Sequence, residues 1–161
     1  MMGNAIIVLT HESPSEMFQK GGSGHWVAQR GRAAQCEYLI ALHNVHGKEG
    51  VPGQRGTAFL IGRISGVEPS FEYPKRVVIK FSEWAPIHVP HTGQRFRNPV
   101  FYGDTADYLA AVDFDALSWE PFPVELIEAP PVKPLTFAEA KAGLAVWLNV
   151  EPGAIEISVK A

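Results

Sequence analysis

Cysteine is nearly absent from this chain: Cys36 stands alone among 161 residues. One thiol excludes an internal disulfide framework and fits a reducing compartment, so a cytoplasmic setting is expected. Long apolar runs are missing too. The unbroken run Ala5 to Leu9 ends at His11 and Glu12, far short of the roughly 20 apolar residues a spanning helix needs. Neither a transmembrane segment nor a secretory signal is expected, and no membrane partner. The nucleotide and metalloprotease signatures are also lacking. There is no G-x-x-x-x-G-K-[ST] and no H-E-x-x-H, and GSGHWV (Gly22 to Val27) lacks the third glycine of the dinucleotide fingerprint. No cofactor is expected on these grounds.

What is present describes an ordinary globular chain. Apolar residues make up 46% and charged residues 19%, enough to bury one real core in about one domain's worth of chain. The net charge of −3 hides an asymmetry. Between Lys20 and Arg97 there are 11 Lys/Arg against 5 Asp/Glu, whereas from Asn98 onward 3 Lys/Arg meet 10 Asp/Glu. A basic first half before an acidic tail suggests an anionic partner for one face, set against simple segregation of solvated surface charge.

The pattern along the chain is mostly strands, a few short helices, then one amphipathic helix. Ala5 to Leu9 reads as a buried strand and Ser13 to Gly24 as a loop with one helical turn at Ser15 to Phe18. A turn of helix near Arg32 to Gln35 precedes a strand at Tyr38 to Leu42. Thr57 to Val67, with two internal glycines, reads as a strand bent or bulged around a barrel, and Arg76 to Phe81 as its partner. Trp84 to Arg97 carries prolines at 86 and 90 and a glycine at 93, the signature of a long ordered loop. Asn98 to Tyr102 reads as extended, Thr105 to Ala111 as a short helix and Asp115 to Trp119 as another short element. After a proline-rich connector, Thr136 and Glu139 form a capping box for a helix over about 136–148, whose apolar face is Phe137, Ala140, Leu144, Trp147 and Leu148. A closing, half-exposed strand is expected at about 154–159. The order fits a small α+β domain on a curved sheet or partly closed barrel and argues against a parallel doubly wound fold. Residues 1–125 would form the domain and 126–161 an appended connector, helix and strand packed on it.

Two constellations carry candidate chemistry. The pairs His43/His46 and His88/His91 each follow a strand, and four imidazoles could complete a zinc site, although H-x-x-H in loops equally describes exposed surface histidines. The second constellation joins aromatic and cationic groups in three loops of the basic region. His25, Trp26, Arg30 and Arg32 lie in the glycine-rich stretch Gly21 to Arg32; Ser82 and Trp84 follow a strand; Arg95, Arg97, Asn98 and Tyr102 lie in and after the proline-flanked loop. Aromatic faces stack on bases, arginines hold phosphates, and Ser and Asn side chains read base edges. The competing reading makes Trp26 and Trp84 core aromatics with arginines lying around them. Cys36, beside Glu37 and an apolar strand, reads as a structural cysteine.

In layout, the first 125 or so positions resemble the PUA-like superfamily, in particular its EVE- and ASCH-type members. The residues that carry the likeness are Gly24-His25-Trp26 after a short strand, then TAFLIGRISGV (Thr57 to Val67) and RVVIKFSEWAPI (Arg76 to Ile87). The resemblance implies a compact β-barrel-like domain with a cleft that in several groups receives a nucleobase, sometimes a modified one. It carries over Trp26 and Trp84 as cage walls and Ser82 as a polar contact. The Lys/Thr/Glu set of the amidohydrolase branch has no placed counterpart. The resulting expectation is a non-catalytic module that recognises DNA or RNA, with a second copy of the chain pairing through the C-terminal strand as a further partner. The alternative is a small hydrolase acting on a nucleoside or another small molecule through the histidine pairs, with or without a metal.

Overall fold

A computed structural model describes residues 3–45, 53–93, 96–123 and 134–160. The apolar run near the N-terminus forms β1 (Asn4–Thr10), whose residues from Ala5 onward are all buried. Burial on both faces explains why the run does not alternate. Ala5, Ile7 and Leu9 enter one apolar cluster, while Ile6 and Val8 enter another on the opposite side. Two core layers therefore sandwich the strand, as the period of two requires.

Helix α1 (Pro14–Lys20) follows where one turn was expected. Ser13 and Glu16 form a reciprocal capping box, Pro14 occupies the first turn, and Gly21 ends the helix in the left-handed conformation (φ 78°). The glycine-rich stretch then departs from the expected loop: Ser23–Trp26 is a strand, β2, antiparallel to a later strand through Ser23↔Ile79 and Trp26↔Val77. The glycines make this pairing possible. A Cβ on Gly22 (φ 156°) would meet the Ile79 carbonyl oxygen 2.4 Å away. Close approach is the reason for that glycine, and what approaches is a neighbouring strand.

A one-turn helix α2 (Arg30–Ala33) leads into β3 (Tyr38–His43), which runs parallel to β1. The long strands β4 (Ala58–Pro69) and β5 (Val77–Val89) form the hairpin at the centre of the fold. The bulges expected from the glycines of β4 are present, with register shifts between Arg63 and Gly66. A Cβ on Gly62 would lie 2.8 Å from the Phe81 ring, so this glycine lets the ring pack against the bend. β5 corrects a second expectation, because it continues through Trp84 to Val89 where the prolines suggested a loop. Beyond Trp84 the strand has β4 on one side only, and a proline without its N–H is tolerated at such an edge.

β6 (Val100–Asp104) pairs antiparallel with β1, α3 (Thr105–Tyr108) follows it, and a two-residue β7 (Glu120–Pro121) joins β5. The sheet order is β2-β5-β4-β3-β1-β6, with β7 added on β5. The architecture is an α+β domain on one strongly curled, mixed sheet with a few short helices. Among the described residues no helix is long and apolar enough to cross a membrane.

The tail agrees in part. Helix α4 (Phe137–Leu148) has the expected Thr136/Glu139 capping box. Its apolar face does not enter the core, however: Phe137 is 61% exposed and Leu148 50%, and only Ala145 is buried. Both faces of the sheet are already covered, so the helix leans on the domain through Trp147, whose indole N–H donates to the Ser70 carbonyl at 3.3 Å. Ala154–Val159 does not join the sheet. A short 3-10 turn, Pro152–Ala154, precedes it, and Ile155 and Ile157 are half-buried without strand pairing.

Candidate nucleic-acid interface

Where α2 meets the edge of the sheet, a cavity of about 270 Å³ opens between Asn4, Ala5, Arg32, Gln35, Cys36, Tyr102 and Gly103. Local structure fixes each wall. Ala33 is buried and anchors the single turn of α2, which leaves Arg32 on its exposed side. Cys36 follows, buried, with its thiol facing the Arg32 carbonyl oxygen at 3.6 Å. Tyr102 comes from β6, opposite Ile6 of β1.

The guanidinium carbon of Arg32 lies 4.0 Å from the centre of the Tyr102 ring, a stacked cation–π arrangement. Among the described residues Arg32 has no carboxylate partner. The Tyr102 hydroxyl is buried and, among the described residues, has no hydrogen-bond partner. Burial pushes the phenol up from its usual range, the neighbouring Cys36 adds to this, and Arg32 opposes it. Burial likewise raises the Cys36 thiol, with Arg32 pulling against it. Near neutral pH the cavity therefore presents one cation, two neutral side-chain amides, a phenol and a protonated thiol. The guanidinium donates and Asn4 and Gln35 both donate and accept, while the Tyr102 hydroxyl is buried and the Cys36 thiol is turned to the Arg32 carbonyl. Such a set suits a planar, acceptor-rich group stacked beside a cation.

Of the residues singled out in the sequence, Arg32 and Tyr102 meet here. Arg30 and Arg76 are held by other parts of the chain. Arg30 donates through Nε to the Val67 carbonyl at 2.9 Å, and Arg76 through Nη1 to the His25 carbonyl at 2.9 Å. The first bond ties α2 to β4 and the second ties the start of β5 to β2. Elsewhere the basic stretch is partly neutralised, by Arg63–Glu83 at 3.1 Å, Lys80–Glu68 at 2.9 Å and Lys20–Glu12.

The cage formed by Trp26 and Trp84 is not found. Both side chains belong to the core layer under α1, Trp26 at 9% exposure and Trp84 half-buried against Phe18 at 5.0 Å. Pairing of β2 with β5 turns Trp26 inward, and its indole N–H donates to Ser23 Oγ at 3.0 Å. Ser82 is exposed and donates only to the Arg63 carbonyl, at 3.4 Å. His25 lies against Ser70 Oγ at 2.5 Å, with Glu72 3.5 Å from its other nitrogen. That nucleophile-base-acid order is structural here. Ser70 is 1% exposed, and its oxygen already accepts from the backbone N–H groups of Glu72 and Tyr73. Arg97 and Asn98 are exposed just before β6, and Arg95 falls outside the described residues.

Of the four paired histidines, three are described. His88 and His91 line a second cavity of about 500 Å³ with Gly53, Gln54, Thr57 and Pro90. His43 is buried and stacked on Phe59 at 4.3 Å, and His46 lies outside the described residues. Among the described residues no group of three or more His, Cys, Asp or Glu side chains is placed to hold a metal ion.

Sequence reasoning missed Asn4 and Gln35, although Gln35 follows Arg32 by three positions on the helical turn that was expected there. It also missed a polar network beneath α1. Ser23 and Thr10 hydroxyls donate to the Glu12 carboxylate at 2.9 and 3.2 Å, and Lys20 pairs with it. The network holds the start of β2, and Trp26 with it, against the end of β1.

Fold and cavity together define a small α+β domain with a curled mixed sheet and a polar, cation-bearing cleft at its edge. Compared with protein-family models, curated proteins and solved structures, the chain matches none.

Proposed function

We propose that this chain is a non-catalytic recognition module that binds nucleic acid, receiving one base in the Arg32–Tyr102 cavity. The carrying observation is the guanidinium 4.0 Å over the Tyr102 ring, without a carboxylate partner among the described residues and in a cavity that Asn4 and Gln35 also line. A base stacks beside that pair, the amides meet its edge, and Arg30 and Arg32, on the same helical turn, hold flanking phosphates. Titration with short single- and double-stranded DNA and RNA at low and at higher salt tests the reading. Binding that weakens with salt is expected. Absence of binding, or binding without a salt slope, overturns it.

A second reading rests on the cavity shared by His88 and His91, which makes the chain a small hydrolase using that pair with or without a metal. Metal analysis of the purified protein separates the two. Stoichiometric zinc that disappears in a His88→Ala, His91→Ala double variant favours the hydrolase.

A further inference from the structure

We infer that the base received at the Arg32–Tyr102 cavity is guanine, read along its N7 and O6 edge by the Arg32 guanidinium. The inference rests on the recognition reading above and narrows it to one base. The guanidinium carbon stands 4.0 Å from the centre of the Tyr102 ring. An edge-on guanidinium would hold its carbon farther out, so at this distance the group lies over the ring face and its N–H donors point sideways out of the stack. Two contacts fix that orientation. Tyr102 packs against the core layer and Ala33 anchors α2 beneath Arg32. The Arg32 side chain is exposed and makes no hydrogen bond or ion pair with a described residue, so the fork is positioned and uncommitted.

A guanidinium donates and never accepts, and its fork geometry is rigid. Guanine is the base whose exposed edge sets two acceptors, N7 and O6, side by side. Adenine and cytosine would turn an amino donor toward the fork, and thymine offers it a single carbonyl. The other groups at the wall do not reverse this order. No Asp or Glu lines the cavity, so nothing there accepts from a cytosine amino group as a carboxylate would. Asn4 and Gln35 are exposed and make no side-chain hydrogen bond with a described residue. Their amides both donate and accept, so they meet the rest of a guanine without favouring another base. A cavity of about 270 Å³ lies at the small end of the roughly 300–1,000 Å³ of ligand pockets, which suits one base that has left its stack. Leaving the stack costs least in a single strand.

The test is a set of end-labelled single-stranded pentanucleotides, thymine in DNA and uracil in RNA, with guanine, adenine, cytosine or the host base at the centre, followed by fluorescence anisotropy at low salt. The strand with central guanine is expected to bind about tenfold or more tighter than the others. A central 7-deazaguanine, which replaces the N7 acceptor by C–H, is expected to lose most of that advantage. Arg32→Lys keeps the charge and gives up the planar fork, so it is expected to keep the salt slope and to lose the preference for guanine. Equal affinity for the four bases, 7-deazaguanine bound as tightly as guanine, or a preference that survives in Arg32→Lys overturns the inference. In that event binding still lost in Arg32→Ala leaves the recognition reading standing. Failure of every strand to bind removes both.

Discussion

Arg32 on α2 and Tyr102 on β6, 70 positions apart in the chain, stand with guanidinium carbon and ring centre 4.0 Å apart. Strand pairing creates the relationship. β1 brings β6 to its free side, and α2 is docked through Ala33 onto the same core layer that Tyr102 packs against. In the proposed reading, this pair is what would meet a base, with the cation and the phenol ring at a common mouth.

Tyr102→Phe separates the ring from its hydroxyl. The lost hydroxyl is buried and unpartnered among the described residues, and a buried unmet polar group costs about 1–3 kcal/mol. Urea denaturation is therefore expected to show unchanged or higher stability, while oligonucleotide affinity, which uses the ring that Phe retains, is expected to stay the same. A stability loss would mean that the hydroxyl has a structural partner.

Cys36 reports on the cavity. Burial raises its thiol pKa, so the thiolate fraction at pH 7 is smaller than for a free cysteine of pKa about 8.5. Alkylation by iodoacetamide is expected to be slow at pH 7, to accelerate only above the ordinary thiol range, and to slow further when oligonucleotide is bound. The linked stability has the matching sign. A folded-state pKa above the unfolded value favours folding below the unfolded pKa, and that contribution disappears as pH rises through the folded pKa. Denaturation midpoints at pH 8 to 11 would show the decline, and Cys36→Ser would remove that part of it.

Glu12→Gln tests the network beneath α1. Removing the carboxylate leaves Lys20 without its ion pair and weakens the bonds from Ser23 and Thr10. The Glu12 side chain is 11% exposed and Lys20 30%, so a loss of about 1–3 kcal/mol is expected. Tryptophan emission should shift to the red as β2 loosens, and oligonucleotide affinity should change little. A large loss of affinity in a folded Glu12→Gln variant would place this network in the binding site.

Gly22→Ala and Gly62→Ala test the close approaches that shape the sheet. The new methyl would sit 2.4 Å from the Ile79 carbonyl oxygen in one case and 2.8 Å from the Phe81 ring in the other. Phe81 can shift, so Gly62→Ala is expected to cost about 1–3 kcal/mol. The Ile79 backbone cannot, so Gly22→Ala is expected to cost more and to detach β2. Equal stability of the two variants in urea would contradict this ordering.

The legible part of the fold was what short-range rules govern. The capping box at Thr136/Glu139, the apolar runs of β1 and β3 and the bulged β4 all announce themselves in neighbouring residues. Ser23–Trp26 and Pro86–Val89 did not, because their strand character comes from partners far away in sequence. Glycine and proline are poor strand formers until β5, or an open edge, supplies the reason to be extended. The same limit governed the site. Arg32 and Tyr102 were each identifiable as candidates, yet their meeting depends on β6 pairing with β1, and Asn4 became a wall residue only through that pairing. Trp26 and Trp84 attracted attention for their chemistry, whereas the facing of β2 and β5 decided that they serve the core.

The most direct measurement is fluorescence anisotropy of a labelled single-stranded pentanucleotide titrated with wild-type protein and with Arg32→Ala, at low and at higher salt. Recognition at the Arg32–Tyr102 cavity predicts tighter binding to the single strand than to a duplex, weakening with salt, and a loss of about tenfold or more in Arg32→Ala. Wild-type binding that Arg32→Ala leaves intact, or no binding at all, would contradict it.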